Sequence, residues 1–300
     1  MQRRLQKLVY DPYDDRDMAK NPTGLLLRTH SDVEFVKSIP REKVACVDIE
    51  TTGVNPGGND EILQVSICNG DGVILLNSYV HPEHRKRWPK AQEVNHITWA
   101  MVKDAPTIEE LAAPIEAIFS ECELLIGYNI LRFDVPFLSK ARIDIPRGKY
   151  VYDLIYDCSV LHGRWSEHHV NYSFVKLETV AKIYGISYDA HDSANDVIAT
   201  TKLFYALLDG SAMTEKIDYY EQKVAERLER EQARKQQEEA ELQDLHKNLI
   251  TAKQEPKTEA KTKEQEEKER NGHNAKMGCY IVLVLVLILM LVTCGGACTH

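Results

Sequence analysis

Apolar and polar positions fall into two regimes along the first 210 residues. Residues 44–49 form a short, mostly apolar run, residues 61–68 alternate apolar and polar positions, the period of an extended strand, and residues 73–80 follow as a third strand. Asn69-Gly70-Asp71-Gly72 between the last two is a hairpin signal, and NPGGND at 55–60 is a loop by composition, so the three stretches predict an antiparallel sheet. The period then lengthens. Residues 93–99 and 107–120 predict helices, the second opened by a Thr107–Glu110 capping box and presenting Ile108, Leu111, Ala112, Ile115 and Ile118 on one face. Residues 124–127 predict a short buried strand, and 152–161 and 174–184 predict helices, the latter ended by Gly185. Between those helices, 163–172 is a loop rich in histidine and aromatic residues. A last helix, 190–208, buries Val197, Thr200, Thr201, Phe204, Leu207 and Leu208. Residues 1–42 are polar with one helical stretch at 32–39 and predict an N-terminal extension or cap, leaving residues 43–210 as the main domain.

The pattern changes again beyond residue 210. Residues 215–249 are dense in charge, with opposite signs three or four apart and apolar positions interrupted by a polar stretch, so that no long heptad survives. They predict a solvated spacer helix over 211–250, or a weak coiled coil that would support self-association. Residues 251–276 are mostly Lys, Glu, Gln and Thr and predict a disordered linker. Residues 277–298 carry no charge and include an unbroken apolar block at 280–292. The window is close to the roughly 20 residues a bilayer span needs, and no core is available to bury it, which predicts a C-terminal membrane anchor with the main domain facing the cytosol or nucleoplasm. A buried oligomerisation segment is the other reading.

Charge and cysteine content narrow the picture. A formal net charge of −9 makes the chain a poor general binder of long nucleic acid, yet allows an enzyme that holds a few nucleotides through metals and a local basic patch. One such patch exists: HPEHRKRWPK at 81–90 is either a phosphate contact or a solvated turn. None of the seven cysteines has zinc-like spacing. Cys46, Cys68, Cys122 and Cys158 sit in or beside apolar runs, as buried thiols of a reducing compartment, while Cys279, Cys294 and Cys298 flank the apolar tail and are candidates for acylation. Residues 1–17 are charged throughout and lack the apolar stretch of a secretory signal.

The chemistry concentrates at the first strand. VACVDIETTG puts Asp48 and Glu50 at alternate positions, hence on one face, where they are either ordinary strand-end polar groups or ligands of a cation set between them. Asp134 lies where a helix begins, a capping position from which a carboxylate can still face a metal. Asp196 falls on the apolar side of the last helix, and His191 precedes that helix as a cap, a core residue or a catalyst. Four crowded carboxylates call for about two divalent cations, and oxygen-only ligands favour magnesium or manganese over zinc. Paired hard cations suit in-line displacement at phosphorus, with His191 taking the proton from the attacking water.

The order Asp-x-Glu-Thr-Thr-Gly, Asn…Phe-Asp and His-x4-Asp resembles the DEDDh branch of the DnaQ-like 3′ to 5′ exonucleases over residues 43–208. The resemblance implies an α/β, RNase H-like fold: a five-stranded mixed sheet flanked by helices, the first three strands antiparallel and the later two parallel to the first. It implies Asp48, Glu50, Asp134 and Asp196 as ligands of two magnesium ions, replaceable by manganese, and His191 as general base. The substrate implied is the single-stranded or frayed 3′ end of a nucleic acid, DNA ahead of RNA. The alternatives are a catalytically silent nucleic-acid-binding scaffold of the same fold and a phosphodiesterase of short oligonucleotides. Two departures stand out: Asn95-His96-Ile97-Thr98 lacks the glycine of the family's His-Gly-Ile-Thr element, which lies near the terminal nucleotide and brings His96 and Trp99 into view. Tyr128-Asn129-Ile130-Leu131-Arg132-Phe133-Asp134 has tyrosine for histidine and one additional residue before Phe-Asp.

Overall fold

A computed structural model describes residues 27–168, 171–190 and 192–254. His191, residues 1–26 of the expected N-terminal extension, residues 255–276 of the linker expected at 251–276 and the apolar segment at 277–298 lie outside the described residues; residues 251–254 of that linker continue the preceding helix instead. Among those described, no helix is long and apolar enough to cross a membrane.

The chain enters through helix α1 (His30–Ser38), whose first turn closes in a Thr29–Asp32 capping box. Strands β1 (Val44–Thr51), β2 (Ile62–Asn69) and β3 (Ile74–Tyr79) form the antiparallel meander that the three stretches and their turn signals predict. The turn between β2 and β3 closes through the Gly72 amide on the Asn69 carbonyl (2.9 Å), with Gly72 at φ 78°, a conformation that suits glycine. Helices α2 (Pro89–Asn95), α3 (Trp99–Val102) and α4 (Ile108–Glu121) follow, α4 carrying the expected capping box. Strand β4 (Leu124–Gly127) pairs parallel with β1, and β5 (Tyr150–Asp153) pairs parallel with β4, across helix α5 (Asp134–Lys140). The sheet order is β3-β2-β1-β4-β5, the mixed five-stranded arrangement implied by the resemblance. Helix α6 (Leu154–His162), a two-stranded hairpin of β6 (Trp165–Ser166) and β7 (Asn171–Tyr172), and helices α7 (Leu177–Ile183) and α8 (Ser193–Leu208) complete this part of the chain.

Three local expectations are corrected. Residues 152 and 153, expected in a helix, end β5; the helix starts at Leu154, where the Asp153 carboxylate accepts the Ile155 amide (3.2 Å). A four-residue strand buried on both faces has no alternation to betray it, and its identity comes from pairing with β4. The helix expected at 93–99 starts at Pro89 and stops at Asn95, because His96 takes the left-handed conformation (φ 58°) and the Asn95 side chain accepts the Ile97 amide (3.1 Å). The helix expected at 174–184 begins only at Leu177.

Alternation along β1 divides the core. Val44 and Cys46 pack with Val197, Leu203 and Phe204 of α8, while Ala45, Val47 and Ile49 pack with Ile115 and Phe119 of α4 and Phe137 of α5. Cys46, Cys68, Cys122 and Cys158 are free and buried, as expected. The α8-side core also takes in Leu27, Val33 and Val36 from the amino-terminal side and Met213 and Ile217 from helix α9 (Ser211–Gln254). Its packing therefore extends past both ends of the 43–210 segment, and the compact unit runs to Glu229. The remaining unit begins at Arg230; there α9 exposes Leu242, Leu245 and Leu249.

One buried ion pair ties the early part of α9 to the domain. Lys216, fully buried, donates to Asp157 Oδ1 (2.6 Å) and to the Leu27 carbonyl (2.9 Å), and the Tyr152 hydroxyl donates to the other Asp157 oxygen. Removing the ammonium leaves a buried carboxylate without its counter-charge. Lys216→Ala is expected to destabilise the domain by about 3–5 kcal/mol in chemical denaturation, and Lys216→Met combined with Asp157→Leu to recover much of that loss. A change below about 1 kcal/mol for Lys216→Ala contradicts this reading.

Candidate functional site

The row Val44, Cys46, Asp48, Glu50 turns from apolar to acidic at the carboxyl end of β1, on the face covered by α8. Helix α8 is pinned there by polar contacts with β2. The Ser66 and Ser193 hydroxyls share a hydrogen bond (2.6 Å), and Gln64 Nε2 donates to Asp192 (3.3 Å), which caps the helix by accepting the Ala194 amide (3.1 Å). This docking brings Asp196, in the first turn, against β1. One carboxylate oxygen each from Asp48, Glu50 and Asp196 lie within 4.8 Å of one another.

Asp134 arrives from the other side of the sheet. Pairing of β1 with β4 ends at Cys46–Ile126, and the Ile49 amide beyond it is taken by Asp134 Oδ1 (3.0 Å). Asp134 is the first residue of α5 and is 2% exposed. The turn before it is held by Asp153, whose carboxylate accepts the amides of Asn129 (2.7 Å) and Leu131 (3.1 Å). Of the five residues singled out in the sequence, Asp48, Glu50 and Asp196 thus meet directly and Asp134 adjoins them through the Ile49 amide. His191 lies outside the described residues.

Such a cluster is costly without positive charge. Burial first, and then the negative charges of Asp134, Asp196 and Glu50, push the Asp48 carboxyl well above the usual carboxylate range. Burial and Asp196 push Glu50 up to about 8, against a hydrogen bond from Asn95 that favours its charged form. Burial likewise raises Asp134, opposed by the backbone amides it accepts. Asp48 Oδ2 is buried without a hydrogen-bond partner, whereas the buried carboxylates of Asp134, Asp153 and Asp157 are met by amides, a hydroxyl or a lysine. Three converging carboxylates with an unsatisfied oxygen form a donor set suited to a hard divalent cation.

Asn95, Tyr188, Asp192 and Asp153 escape a motif-based reading. Asn95 bonds Glu50 and donates to the Thr51 carbonyl (3.2 Å), whereas the adjacent His96 is exposed. Trp99 packs against His81, 5.5 Å between ring centroids. Tyr188 is hydrogen-bonded to Asp196, and burial with that contact raises its phenol. Asp192 adds negative charge to Asp48 and Glu50, and Asp153 positions the turn into α5. Asn95 sits in the Asn-His-Ile-Thr element and Asp192 beside His191, so proximity to a motif was the available signal for both.

The raised carboxyls set a pH dependence. Glutamate in the unfolded chain titrates near 4.5 and Glu50 in the folded, metal-free protein near 8, so folding takes up a proton between those values. Stability in EDTA is therefore expected to fall as pH rises through about 8, and divalent cations to raise Tm more at about pH 8 than at about pH 6, because they displace protons at the lower value. Calorimetry with and without magnesium checks both. A Tm in EDTA that climbs over this interval contradicts the assignment.

The profile of the RNase_T exonuclease family matches residues 45–204 of the 300 in this chain. Over 182 residues the chain is 31% identical to a DNA polymerase III subunit epsilon-like protein of Rhodobacter capsulatus, covering 56% of this chain and 24% of that protein. It thus spans about a quarter of the curated relative's length. Among solved structures, E. coli exonuclease I in complex with a dT13 oligonucleotide is 23% identical with a TM-score of 0.47, covering 59% of this chain and 42% of that one. A structure of exonuclease I without ligand gives 23% and 0.46, covering 59% and 43%. With a match that extends from β1 through the buried part of α8, the chain belongs to the exonuclease family, on the DnaQ-like, RNase H-like fold.

Proposed function

We propose that this chain is a metal-dependent 3′ to 5′ exonuclease, hydrolysing phosphodiester bonds at single-stranded or frayed 3′ ends of nucleic acid. The convergence of Asp48, Glu50 and Asp196 around the unsatisfied Asp48 oxygen carries the reading, within a domain of the exonuclease family. Asp48, Glu50, Asp134 and Asp196 would hold two magnesium or manganese ions. When bound, such a pair supplies water activation and stabilises charge on the attacked and leaving oxygens of an in-line displacement.

The remaining tasks fall to side chains of this chain. Burial of Asp134 and Asp196 keeps competing water from their carboxylates, and the Ile49 amide fixes the Asp134 carboxylate in place. Tyr188 orients Asp196, and Asn95 orients Glu50 while favouring its ionised form. His191, next to the helix cap Asp192, takes the proton of the attacking water, a task that suits a group titrating near neutrality. The apolar segment at 277–298 would hold the enzyme on a membrane, which fractionation of the full chain against a form ending before residue 277 tests.

Loss of a neighbour that only orients a metal ligand typically costs 10–100-fold, so loss of a ligand itself is expected to cost more. Asp48→Asn is expected to lower release of mononucleotides from a labelled single strand by more than about a hundredfold, and EDTA to abolish it reversibly. Label placed at the 3′ end should appear in mononucleotide first. Release from the 5′ end, or undiminished turnover in EDTA, overturns the proposal.

A further inference from the structure

The basic loop at 81–90 is left unused by the carboxylate chemistry, and its construction is that of a recognition surface. Glu61 fixes its backbone, accepting the amides of Glu83 (2.8 Å), His84 (3.1 Å) and Arg85 (2.7 Å). Arg85 binds Asp60 (3.1 Å) and the Asn59 carbonyl (2.9 Å), so one of the four cations is consumed in holding the loop. Trp88 anchors the far end, 3% exposed, with its indole N–H on the Ile97 carbonyl (2.7 Å). What remains outside is Lys86, Arg87 and Lys90, all exposed, and no ion pair among the described residues joins them to a carboxylate. The Lys86 ammonium lies 5.9 Å from the Trp99 ring centroid, a contact that steadies the charge without neutralising it.

Position gives this patch a purpose. Helix α2 starts at Pro89, so that Lys90 stands in its first turn, and ends at Asn95, the residue bonded to Glu50. At a rise of about 1.5 Å per residue, Lys90 lies within about 8 Å of Asn95 along the helix. Three uncompensated cations, Lys86 and Arg87 on the braced loop and Lys90 in the first turn of the short helix that leads to Asn95, complement a polyanion that must enter that site. An anionic lipid surface would meet the same charges but has no reason to lie next to Glu50.

We propose that Lys86, Arg87 and Lys90 contact the phosphodiester backbone of a single strand whose 3′ end occupies the carboxylate site. The inference rests on the exonuclease reading above and names the surface through which a net-acidic chain retains its polyanionic substrate. Sequence discrimination is not assigned to these residues, since phosphate contacts position a strand without reading it.

The test is the salt dependence of binding in EDTA, measured by anisotropy of a short 5′-fluorescent single-stranded oligonucleotide with the full-length chain. Each phosphate contact to a single strand contributes about 0.7 to the slope of log K against log salt, so the K86Q/R87Q/K90Q variant should bind more weakly with a slope shallower by about 2. The single variants should each lose about 0.7, and K86R/R87K/K90R should restore the slope, because charge and not side-chain identity is used. Wild-type binding and hydrolysis with an unchanged slope in every charge-removing variant overturns this inference alone. No oligonucleotide binding or hydrolysis by the wild type overturns it together with the exonuclease reading. Loss of binding to vesicles containing phosphatidylserine, with the oligonucleotide slope unchanged, overturns it in favour of a lipid surface.

Discussion

Asp48 and Glu50 leave β1 on the same face as Val44 and Cys46, so a strand that builds the core at one end carries negative charge into a partly desolvated space at the other. Asp196 from α8 adds a third carboxylate within 4.8 Å, and Asp134 a fourth at the amide of Ile49. Burial out of water is the dominant constraint and like charge adds to it: together they push the carboxyls of Asp48, Glu50 and Asp134 above their ordinary range. The surrounding architecture makes sense as the means of forcing these groups together against their electrostatics. The Ser66–Ser193 and Gln64–Asp192 contacts lock α8 onto β2, and Asp153 braces the turn that delivers Asp134.

The same economy of position explains why parts far apart in the chain serve one site. Parallel pairing of β4 with β1 stops at Cys46–Ile126, and the amide left open beyond it becomes the seat of Asp134. Gly53 follows β1 at the start of the next turn. A Cβ there would collide with the Asp60 carboxylate, which accepts the Asn55 amide (3.0 Å) and holds Arg85 of the basic loop. Strand, turn and loop are therefore coupled through one aspartate. Elsewhere, Lys216 joins the Leu27 carbonyl to Asp157 of α6, so that residues from before β1 and after α8 are tied to one helix of the domain.

Local signals carried most of this into view. Alternation in β2, the Asn69–Gly72 turn and the Thr107–Glu110 box are decided by neighbours in sequence, and the order of the acidic residues names the carboxylates that the fold brings together. What stayed hidden depends on distant partners. Strand β5 is a strand because β4 lies beside it, and its three consecutive buried residues, Val151 to Asp153, carry no periodicity of their own. Lys216 looks like one more charge on a solvated helix, since its partner Asp157 is 59 residues away, and the expected boundary at residue 210 consequently misses part of the core. Asn95 owes its role to tertiary structure: a left-handed residue at His96 ends the helix, and the neighbouring amide side chain meets Glu50 and the Thr51 carbonyl.

Anomalous scattering from manganese in crystals of the full-length chain tests the central assignment without reference to turnover. The account predicts density enclosed by the carboxylates of Asp48, Glu50 and Asp196, with Asp134 completing the site, and loss of that density in Asp48→Asn. Crystals saturated with manganese that show the ion elsewhere, or show these side chains turned away from one another, would contradict it.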